Sequence, residues 1–376
     1  MATQLPRETC IGVLGDGQLG RMLITNGIAP LGYRAAVLGP GGRNSPAGQV
    51  AWWVESWGKD PNTVSDELLR EFCSRVSVVL IEWENVPCSL VDRITAMGVR
   101  VCPGSNVLGI AQQRLREKEL ARSLGIRVPN FRQVGGLTDY YPGADEVVKV
   151  PSILKTNRDG YDGKGQIHLA AGDRLLPAWE KLKAEFNQDI CILEEKITFL
   201  GEMSVIVARS KEWMVTYGPF ENKHENGILR STTYPTRETT FGPWTKMIRP
   251  RAVGAACKIA QHLGVHGLLV VEFFVDRDGS LVFNEMASRP HNTGHGTMKW
   301  CETDQFEQYV RASCNLPYGN CTPHYQGGVM HNVLGSEILD EASFLADGSF
   351  VKYGKLGHPD GRKMAHKTTT RLFVRR

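Results

Sequence analysis

Residues 10–39 read "CIGVLGDGQLGRMLITNGIAPLGYRAAVLG", and this stretch decides the class of fold. Two apolar, strand-like runs enclose a helix-like segment that closes on a glycine. The same alternation returns over 76–104, where "VSVVLIEWENVP" precedes "SLVDRITAMG" and "VRVCPG". Strand–helix–strand alternation is typical of a parallel sheet with crossover helices. The sequence therefore predicts an α/β unit over residues 1–113.

The remainder of the chain mixes the two element types differently. The stretch 106–125, "NVLGIAQQRLREKELARSLG", predicts one long amphipathic helix that stops at Gly125. A β-rich module follows at about 150–197, and its glycine content favours a mobile lid. We expect an α+β unit over 114–328 and a small β-rich unit over 329–376.

Composition excludes several classes of protein. The 376 residues suffice for two or three domains, and the formal charge is +4 with Lys and Arg spread along the chain, which argues against nucleic-acid binding. The run "GLLVVEFFV" is strand-sized and contains Glu272, so no membrane span is expected. The nine cysteines form no CxxC pair, which favours reduced thiols and a cytoplasmic location.

The motif "GDGQLG" (15–20) fits the GxGxxG pattern between a strand and a helix. Such a turn suits contact with a phosphate at a helix N-terminus. Dinucleotide binding also requires an acid at the end of the second strand, where this chain has Gly39 and Pro40. We therefore favour a turn beside some other phosphate, and a purely structural turn stays open.

The stretch "KTNRDGYDGKGQ" (155–166) combines three glycines with three cations. Glycines let a backbone approach phosphate oxygens closely and expose its N–H groups. Lys155 ends a strand-like run, so its amine can sit at a fixed point. The Walker A order is absent. The alternative is an exposed polar hairpin tip.

The hairpin "VEFFVDRDGSLVFNEM" (271–286) gives the sharpest geometric prediction. A two-residue turn at Asp278-Gly279 pairs Arg277 with Ser280, Phe274 with Phe283, and Glu272 with Glu285. Two carboxylates directly opposite one another would repel, and a divalent cation removes that cost. Oxygen ligands favour Mg²⁺ over Zn²⁺. The alternative is two exposed glutamates on a hairpin face.

Three further clusters suit a polar, anionic ligand. "ILEEKITFLGE" (192–202) could accept from ribose hydroxyls, "SRPHNTGH" (288–295) could bind an anion, and the basic tail 352–367 could clamp a phosphate. Taken alone, residues 192–202 are more readily interpreted as a solvated acidic turn, and residues 352–367 are more readily interpreted as a solvated basic turn. A zinc site at His291 and His295 is disfavoured, because the HExxH glutamate is missing.

In order along the chain, these stretches resemble one family. The set runs from "GDGQLGRML" through "IEWENVP", "YDGKGQ", "LEEKITFLGE" and "RPHNTGH" to "QFEQYVRA" and "GRKMAH", from about Ile11 to His366. It is similar to the N5-carboxyaminoimidazole ribonucleotide synthetases, members of the ATP-grasp superfamily. The resemblance implies an N-terminal Rossmann-like (pre-ATP-grasp) domain, an ATP-grasp domain and a small C-terminal β-rich domain.

The resemblance also implies an activity. Such enzymes use ATP and bicarbonate to form carboxyphosphate, whose CO₂ is captured by the amine of 5-aminoimidazole ribonucleotide. It implies ATP, two Mg²⁺ ions and bicarbonate as ligands, a cytoplasmic homodimer, and neither a nucleic-acid nor a membrane partner.

Site residues follow by match to the family's motifs. The expected ATP contacts are Arg114, Lys118, Lys155, Gly160, Gly163, Gly165, Gln166, Glu194, Glu195, Ile197, Glu202, His224 and Asn284, with Glu272 and Glu285 as metal ligands. The expected catalytic residues are Tyr161, Asp162, Lys164, His291, Lys355 and Arg362, with Asp162 handling the amine proton. The expected ribonucleotide contacts are Gln18, Leu19, Glu82, Arg289, Asn292, Lys355 and Arg362.

The sequence departs from the family's pattern in three places. Asn157 and Asp159 stand where the family reads arginine and glycine, and an added carboxylate would repel phosphate unless Arg158 pairs with it. Gly357 and Pro359 stand where the family carries glutamate and arginine. The sequence ends at Arg376, before a further helix that the family carries. An ATP-grasp ligase with another acceptor, or a pseudoenzyme that only binds nucleotide, is therefore the alternative function.

Overall fold

The structure is a computed structural model that describes residues 9–136, 140–160, 163–234, 241, 244–338, 349–357 and 360–371. Within these ranges the strands form three sheets. None of the helices in the same ranges is both long and apolar enough to cross a bilayer.

The N-terminal sheet confirms the predicted α/β fold. Its strands are β1 (Cys10–Leu14), β2 (Arg34–Gly39), β3 (Trp53–Ser56), β4 (Val78–Ile81) and β5 (Arg100–Cys102), all parallel, in the order β3-β2-β1-β4-β5. The connecting helices are α1 (Gln18–Met22), which continues as a π-helical turn (Leu23–Ile28), α2 (Asp66–Arg75) and α3 (Cys88–Ala96). Ile11 and Val13 enter one core while Cys10 and Leu14 enter another, so both faces of the sheet are covered.

The predicted single helix over 106–125 is wrong, because the segment forms two helices, α4 (Ser105–Ala111) and α5 (Arg114–Ser123). Gln113 between them has an extended backbone, with φ −129° and ψ 107°. Asn157 supports the break, since its carbonyl and side-chain oxygens accept from Arg114 N (3.0 Å) and Leu115 N (3.1 Å). These partners satisfy N–H groups that the start of any helix leaves open. Gly125, with φ +71°, ends α5 as predicted.

The second sheet carries the glycine-rich loop. It comprises β6 (Phe131–Val134), β7 (Ser152–Thr156), β8 (Gln166–Leu169) and β9 (Cys191–Glu195), all antiparallel, in the order β6-β9-β7-β8, and α6 (Leu175–Phe186) packs against it. The loop joins β7 to β8 and therefore projects from one end of this sheet.

The third sheet holds the glutamate hairpin. Its strands are β10 (Phe199–Arg209), β11 (Met214–Glu225), β12 (Ile228–Tyr234), β13 (Gly267–Asp276), β14 (Leu281–Ala287), β15 (Gly327–Leu334), β16 (Phe350–Lys352) and β17 (Lys363–Arg371), in the order β14-β13-β10-β11-β12-β15-β17-β16. The accompanying helices are α7 (Thr245–His262), α8 (Thr297–Trp300) and α9 (Gln305–Ser313). The last three strands thus extend the sheet of the preceding unit. The boundaries at 113 and 328 and the lid at 150–197 remain predictions.

The hairpin register is partly as predicted. Glu272 faces Glu285, as expected, but Phe273 rather than Phe274 faces Phe283. The tip differs because Asp276 N donates to Ser280 O (2.9 Å), so the loop is one residue longer than a two-residue turn. A bulge between the two registers then restores the glutamate pairing.

Candidate active site

The bulge in β14 is held by helix α5. Lys118 Nζ donates to the carbonyl of Asn284 (2.7 Å), and Met286 N donates to Glu117 Oε2 (3.1 Å). Because β14 is an edge strand of its sheet, its outward backbone groups have no partner in the strand ladder, and buried groups of this kind need other partners. Two neighbouring residues of α5 supply them. Glu117, whose pKa is raised by burial, was not identified from the sequence.

The paired glutamates have different surroundings. Glu272 is buried whereas Glu285 is exposed. Burial and the facing charge of Glu285 raise the pKa of Glu272 to about 8. Glu272 Oε1 accepts no hydrogen bond within the described residues, and it lies 3.5 Å from Nδ1 of His291. An unpaired oxygen facing a second carboxylate fits a hard divalent cation.

Protein groups alone would leave such a cation incompletely coordinated. The described residues contain no cluster of three or more His, Cys, Asp or Glu side chains arranged to hold a metal. Mg²⁺ keeps several waters and is commonly bound by one or two carboxylates together with substrate phosphates. The pair therefore fits Mg²⁺ bound jointly with a phosphate-bearing ligand.

Two predicted phosphate-binding lysines meet at one carboxylate. Glu194 Oε2 lies 2.8 Å from Lys155 Nζ, and Glu194 Oε1 lies 3.1 Å from Lys118 Nζ. Burial alone would raise the pKa of Glu194, but the two ammonium groups lower it to about 2. Glu194 was predicted as a nucleotide contact, and the structure places it as the counterion that fixes both amines. Fixed cations suit a reaction in which phosphate charge develops.

Arg114 supports the start of the glycine-rich loop. Its guanidinium donates to the carbonyls of Thr156 (3.1 Å) and Gly160 (2.9 Å). Gly163 and Gly165 have φ of +79° and +72°, a region that favours glycine. Lys164 is exposed in the turn between these two glycines. Gln166 pairs with Lys155 across β7 and β8. Tyr161 and Asp162, predicted as catalytic, lie outside the described residues.

Asp159 is accommodated by Gln188 rather than by Arg158. Asp159 has φ +62°, a backbone conformation that glycine adopts at less cost than other residues. Gln188 Nε2 donates to Asp159 Oδ2 (3.0 Å) and to Arg158 O (3.0 Å), and its Oε1 accepts from Arg158 N (3.0 Å). The Arg158 guanidinium donates instead to Gln112 Oε1 (3.4 Å). Gln188 therefore stabilises the backbone at Asp159, and no pattern in the sequence indicated this contact.

Of the remaining predicted nucleotide residues, Glu195 and Ile197 lie at or just beyond the end of β9 opposite the glycine-rich loop, and Glu202 and His224 lie on neighbouring strands of the third sheet. Glu195 Oε2 accepts from Asn130 (2.7 Å), and Ile197 is half-buried just beyond β9. Glu202 contacts His224 across β10 and β11. Burial would lower the pKa of His224, but the Glu202 carboxylate raises it.

The N-terminal glycine motif is tied down by Glu82. Its carboxylate accepts from Gly17 N (2.7 Å) and Gly20 N (3.2 Å), at the start of the helix that contains Gln18 and Leu19. These N–H groups would be the donors in a dinucleotide site. For Gly17 N and Gly20 N, the turn is therefore structural, because both groups already donate to the Glu82 carboxylate. Burial raises the pKa of Glu82 to about 7.

The turn after β14 connects three regions of the molecule. Arg289 NH2 lies 2.9 Å from Glu84 Oε2 in the N-terminal unit, and Asn292 Nδ2 donates to Asn332 Oδ1 (2.9 Å) in β15. Burial and the Arg289 charge lower the pKa of His291 well below its usual value. In the tail, Lys355 Nζ donates to Lys363 O (2.7 Å), whereas Arg362 is exposed.

Comparison with known proteins first defines the class. The ATP-grasp domain model matches residues 119–306, and the ribonucleotide synthetase preATP-grasp domain model matches 8–112. Together with the paired lysines and glutamates, these matches define an ATP-dependent enzyme of the ATP-grasp fold, preceded by a pre-ATP-grasp domain.

Individual relatives narrow the class to a family. The N5-carboxyaminoimidazole ribonucleotide synthase of Bacillus subtilis is 36% identical over 362 residues, which cover 95% of this chain and 90% of that protein. The N5-carboxyaminoimidazole synthetase of Staphylococcus aureus, solved with ADP, aligns with TM-score 0.84 at 29% identity over 98% of this chain and 94% of that one. The Aspergillus clavatus enzyme, solved with ADP and 5-aminoimidazole ribonucleotide, aligns with TM-score 0.80 at 26% identity over 97% and 94%. This chain belongs to the N5-carboxyaminoimidazole ribonucleotide synthase family.

Removing the support at Asp159 should weaken nucleotide binding. We expect Asp159→Ala to raise KM for ATP about fivefold, since alanine in the left-handed region costs about 1 kcal/mol and loses the Gln188 bond. Asp159→Asn tolerates the same φ and can still bond Gln188, so its KM should stay within about twofold. Steady-state kinetics with ATP varied would check this. Equal KM values in the two variants would show that neither the φ of Asp159 nor its bond to Gln188 matters for ATP binding.

The ion pairs of Glu194 with Lys118 and Lys155 should make the free energy of unfolding depend on pH in the acid range. The pKa of Glu194 in the folded protein, about 2, lies below its ordinary value of 4.5, so its stabilisation is present above pH 4.5 and lost as pH falls. Between pH 5 and pH 3 the wild type should lose on the order of 2 kcal/mol more free energy of unfolding than Glu194→Gln. Urea denaturation at several pH values measures the difference, and parallel curves would refute it.

Proposed function

We propose that this chain carboxylates 5-aminoimidazole ribonucleotide to N5-carboxyaminoimidazole ribonucleotide, using ATP and bicarbonate, in purine biosynthesis. Family membership over 95% of the chain supports the proposal. One observation inside the molecule carries it: the Lys155–Glu194–Lys118 chain of contacts reaches Asn284, which adjoins the Glu272–Glu285 pair. Cations and metal-binding oxygens therefore lie together, as phosphoryl transfer requires.

In the first half-reaction, a bicarbonate oxygen would attack the γ-phosphorus of ATP. The bond to the β-phosphate oxygen breaks, and carboxyphosphate and ADP form. Lys118 and Lys155 are already fixed by Glu194, so they can stabilise the transferring group without reorganising. Two Mg²⁺ ions held by Glu272 and Glu285 would neutralise further phosphate charge when bound.

In the second half-reaction, carboxyphosphate splits into CO₂ and phosphate. The lone pair of the exocyclic amine forms the new N–C bond to CO₂, and the nitrogen loses one proton. We assign that proton to Asp162 and the lining of the CO₂ pocket to Tyr161, Lys164 and His291. Carboxyphosphate hydrolyses readily, so the glycine-rich loop from 160 to 166 would serve to exclude water.

The ribonucleotide would lie between the N-terminal unit and the tail. Arg289 is oriented by Glu84, and Asn292 is oriented by Asn332. With Gln18, Leu19, Glu82, Lys355 and Arg362, these residues form the proposed binding set. A second candidate, a ligase with another acceptor, is kept because Gly357 and Pro359 replace charged residues of the family. Gly357 adopts φ +70° and is exposed, and Pro359 lies outside the described residues.

One assay separates these functions. ADP release is measured with ATP and bicarbonate, in the presence and absence of 5-aminoimidazole ribonucleotide. The proposed enzyme should be strongly stimulated by the ribonucleotide and should form its carboxylated product. ADP release without any stimulation would favour the alternative acceptor, and no release at all would favour a nucleotide-binding pseudoenzyme. A homodimeric state and a cytoplasmic location are further proposals, the first testable by light scattering.

A further inference from the structure

Gln305 makes a two-pronged contact with the backbone of His291. Its Oε1 accepts from His291 N (3.1 Å), and its Nε2 donates to His291 O (2.9 Å). The side chain of Gln305 is fully buried at the start of α9. An amide that both donates to and accepts from one residue fixes the position and orientation of that residue's backbone.

Gln305 is itself held rigidly. Its backbone N donates to Thr297 Oγ1 (3.1 Å), and its Nε2 also lies 3.3 Å from His295 Nδ1. Asp304, the residue before it, caps α9 by accepting from Phe306 N (2.7 Å). The carboxamide is therefore a fixed support rather than a mobile surface group.

His291 depends on such a support because it lies outside the named strands. It follows β14 and precedes the short 3-10 turn at Asn292–Gly294. Its Nδ1 lies 3.5 Å from Glu272 Oε1 and 3.4 Å from Thr293 N. A small shift of its backbone would therefore move the imidazole away from the glutamate pair.

We infer that Gln305 is a positioning residue that holds His291 at the carboxylation pocket. The inference rests on the proposed function only for the chemical role of His291, because the contacts themselves are independent of it. Gln305 lies in the "QFEQYVRA" stretch, to which the sequence reasoning gave no role in the site. It acts through His291 and touches no reacting group.

The test compares two buried glutamines of the same helix. Gln305→Leu removes both contacts at nearly constant volume and should lower kcat with 5-aminoimidazole ribonucleotide roughly 10- to 100-fold. KM for ATP should stay within about twofold, because the nucleotide residues lie on other elements. Gln308→Leu is the matched control: Gln308 is equally buried, but its Oε1 accepts from Gly319 N (3.0 Å) in the loop that follows α9, and it makes no hydrogen bond to His291 among the described residues. Its kcat should match the wild type even if its Tm falls.

A double-mutant cycle with His291→Ala completes the test. If Gln305 acts through His291, Gln305→Leu should change kcat less than about twofold in the His291→Ala background. An equal loss in both backgrounds, or kcat values for the two leucine variants that agree, would overturn the inference. If Gln305→Leu does not fold, Gln305→Glu, which keeps the acceptor and loses the donor, is read in its place. If the wild type shows no stimulation by the ribonucleotide, the proposed function fails. The double-mutant cycle is then measured with the rate of bicarbonate-dependent ATP cleavage instead of carboxylation.

Discussion

Glu285→Ala should lower kcat for ATP-dependent carboxylation by at least about 100-fold, or roughly 2.7 kcal/mol of barrier. Glu285 directly faces Glu272, and the change would leave a single carboxylate at the proposed metal site. The same change removes the facing charge that, with burial, raises the pKa of Glu272 in the metal-free protein. Addition of Mg²⁺ and nucleotide should therefore raise Tm in the wild type and much less in the variant.

Asp278→Ala provides the control on the same hairpin. Asp278 lies at the exposed tip, where its Oδ1 accepts from Ser280 N (2.9 Å). Losing this carboxylate should leave kcat within about twofold, because such exposed substitutions act locally. Survival of the Glu285→Ala enzyme within about tenfold of the wild type, equivalent to ~1.4 kcal/mol, would show that the glutamate pair is not the metal site.

Lys118→Met should damage both stability and nucleotide use. Methionine keeps the aliphatic volume beside Phe283, whose ring centre lies 5.7 Å from Lys118 Nζ, but removes the charge. Glu194 loses one of its two cations, and Asn284 O loses its donor. Breaking a buried ion pair costs about 3 kcal/mol or more, and loss of an amine that we propose to bind the ATP phosphates should lower kcat/KM for ATP at least about 100-fold.

A second variant separates the two effects of Lys118. Adding Glu194→Gln to Lys118→Met removes the uncompensated buried charge and should recover part of the lost free energy of unfolding. It should not recover kcat/KM, because the cation is still absent. Lys258→Met is the matched control, since Lys258 Nζ also donates to a carbonyl, that of Leu124 (2.6 Å), but on the exposed face of α7. Restored catalysis in the double variant would contradict a direct role of Lys118 at the phosphates.

Much of the fold was accessible from the sequence because its patterns are local. Apolar runs alternating with helical segments predicted the parallel sheet, and the residue count between Glu272 and Glu285 predicted that they face each other. The glutamate prediction succeeded although the register at the hairpin tip was wrong. The extra residue in the tip loop shifts the strand register by one, and the bulge at Asn284 shifts it back. Neither feature has a recognisable sequence pattern.

Other features depended on contacts between distant segments. The break between α4 and α5 comes from Asn157, more than forty residues away, and the fixing of Lys118 and Lys155 comes from Glu194. The supports at Glu117, Gln188 and Gln305 are polar residues in segments with no motif of their own. Motif order predicted the groups that we propose to carry the chemistry, whereas the residues that hold them in place were not predicted.

The bulge at Asn284 separates two parts of one hairpin. Since α5 grips the strand at Asn284 and Met286, the position of Glu285 is set from outside the hairpin rather than by the turn at its tip. In an ordinary hairpin, a one-residue insertion at the turn would carry every following side chain to the opposite face. Here a one-residue insertion at the tip should leave the two carboxylates facing each other, because α5 holds the strand on either side of Glu285.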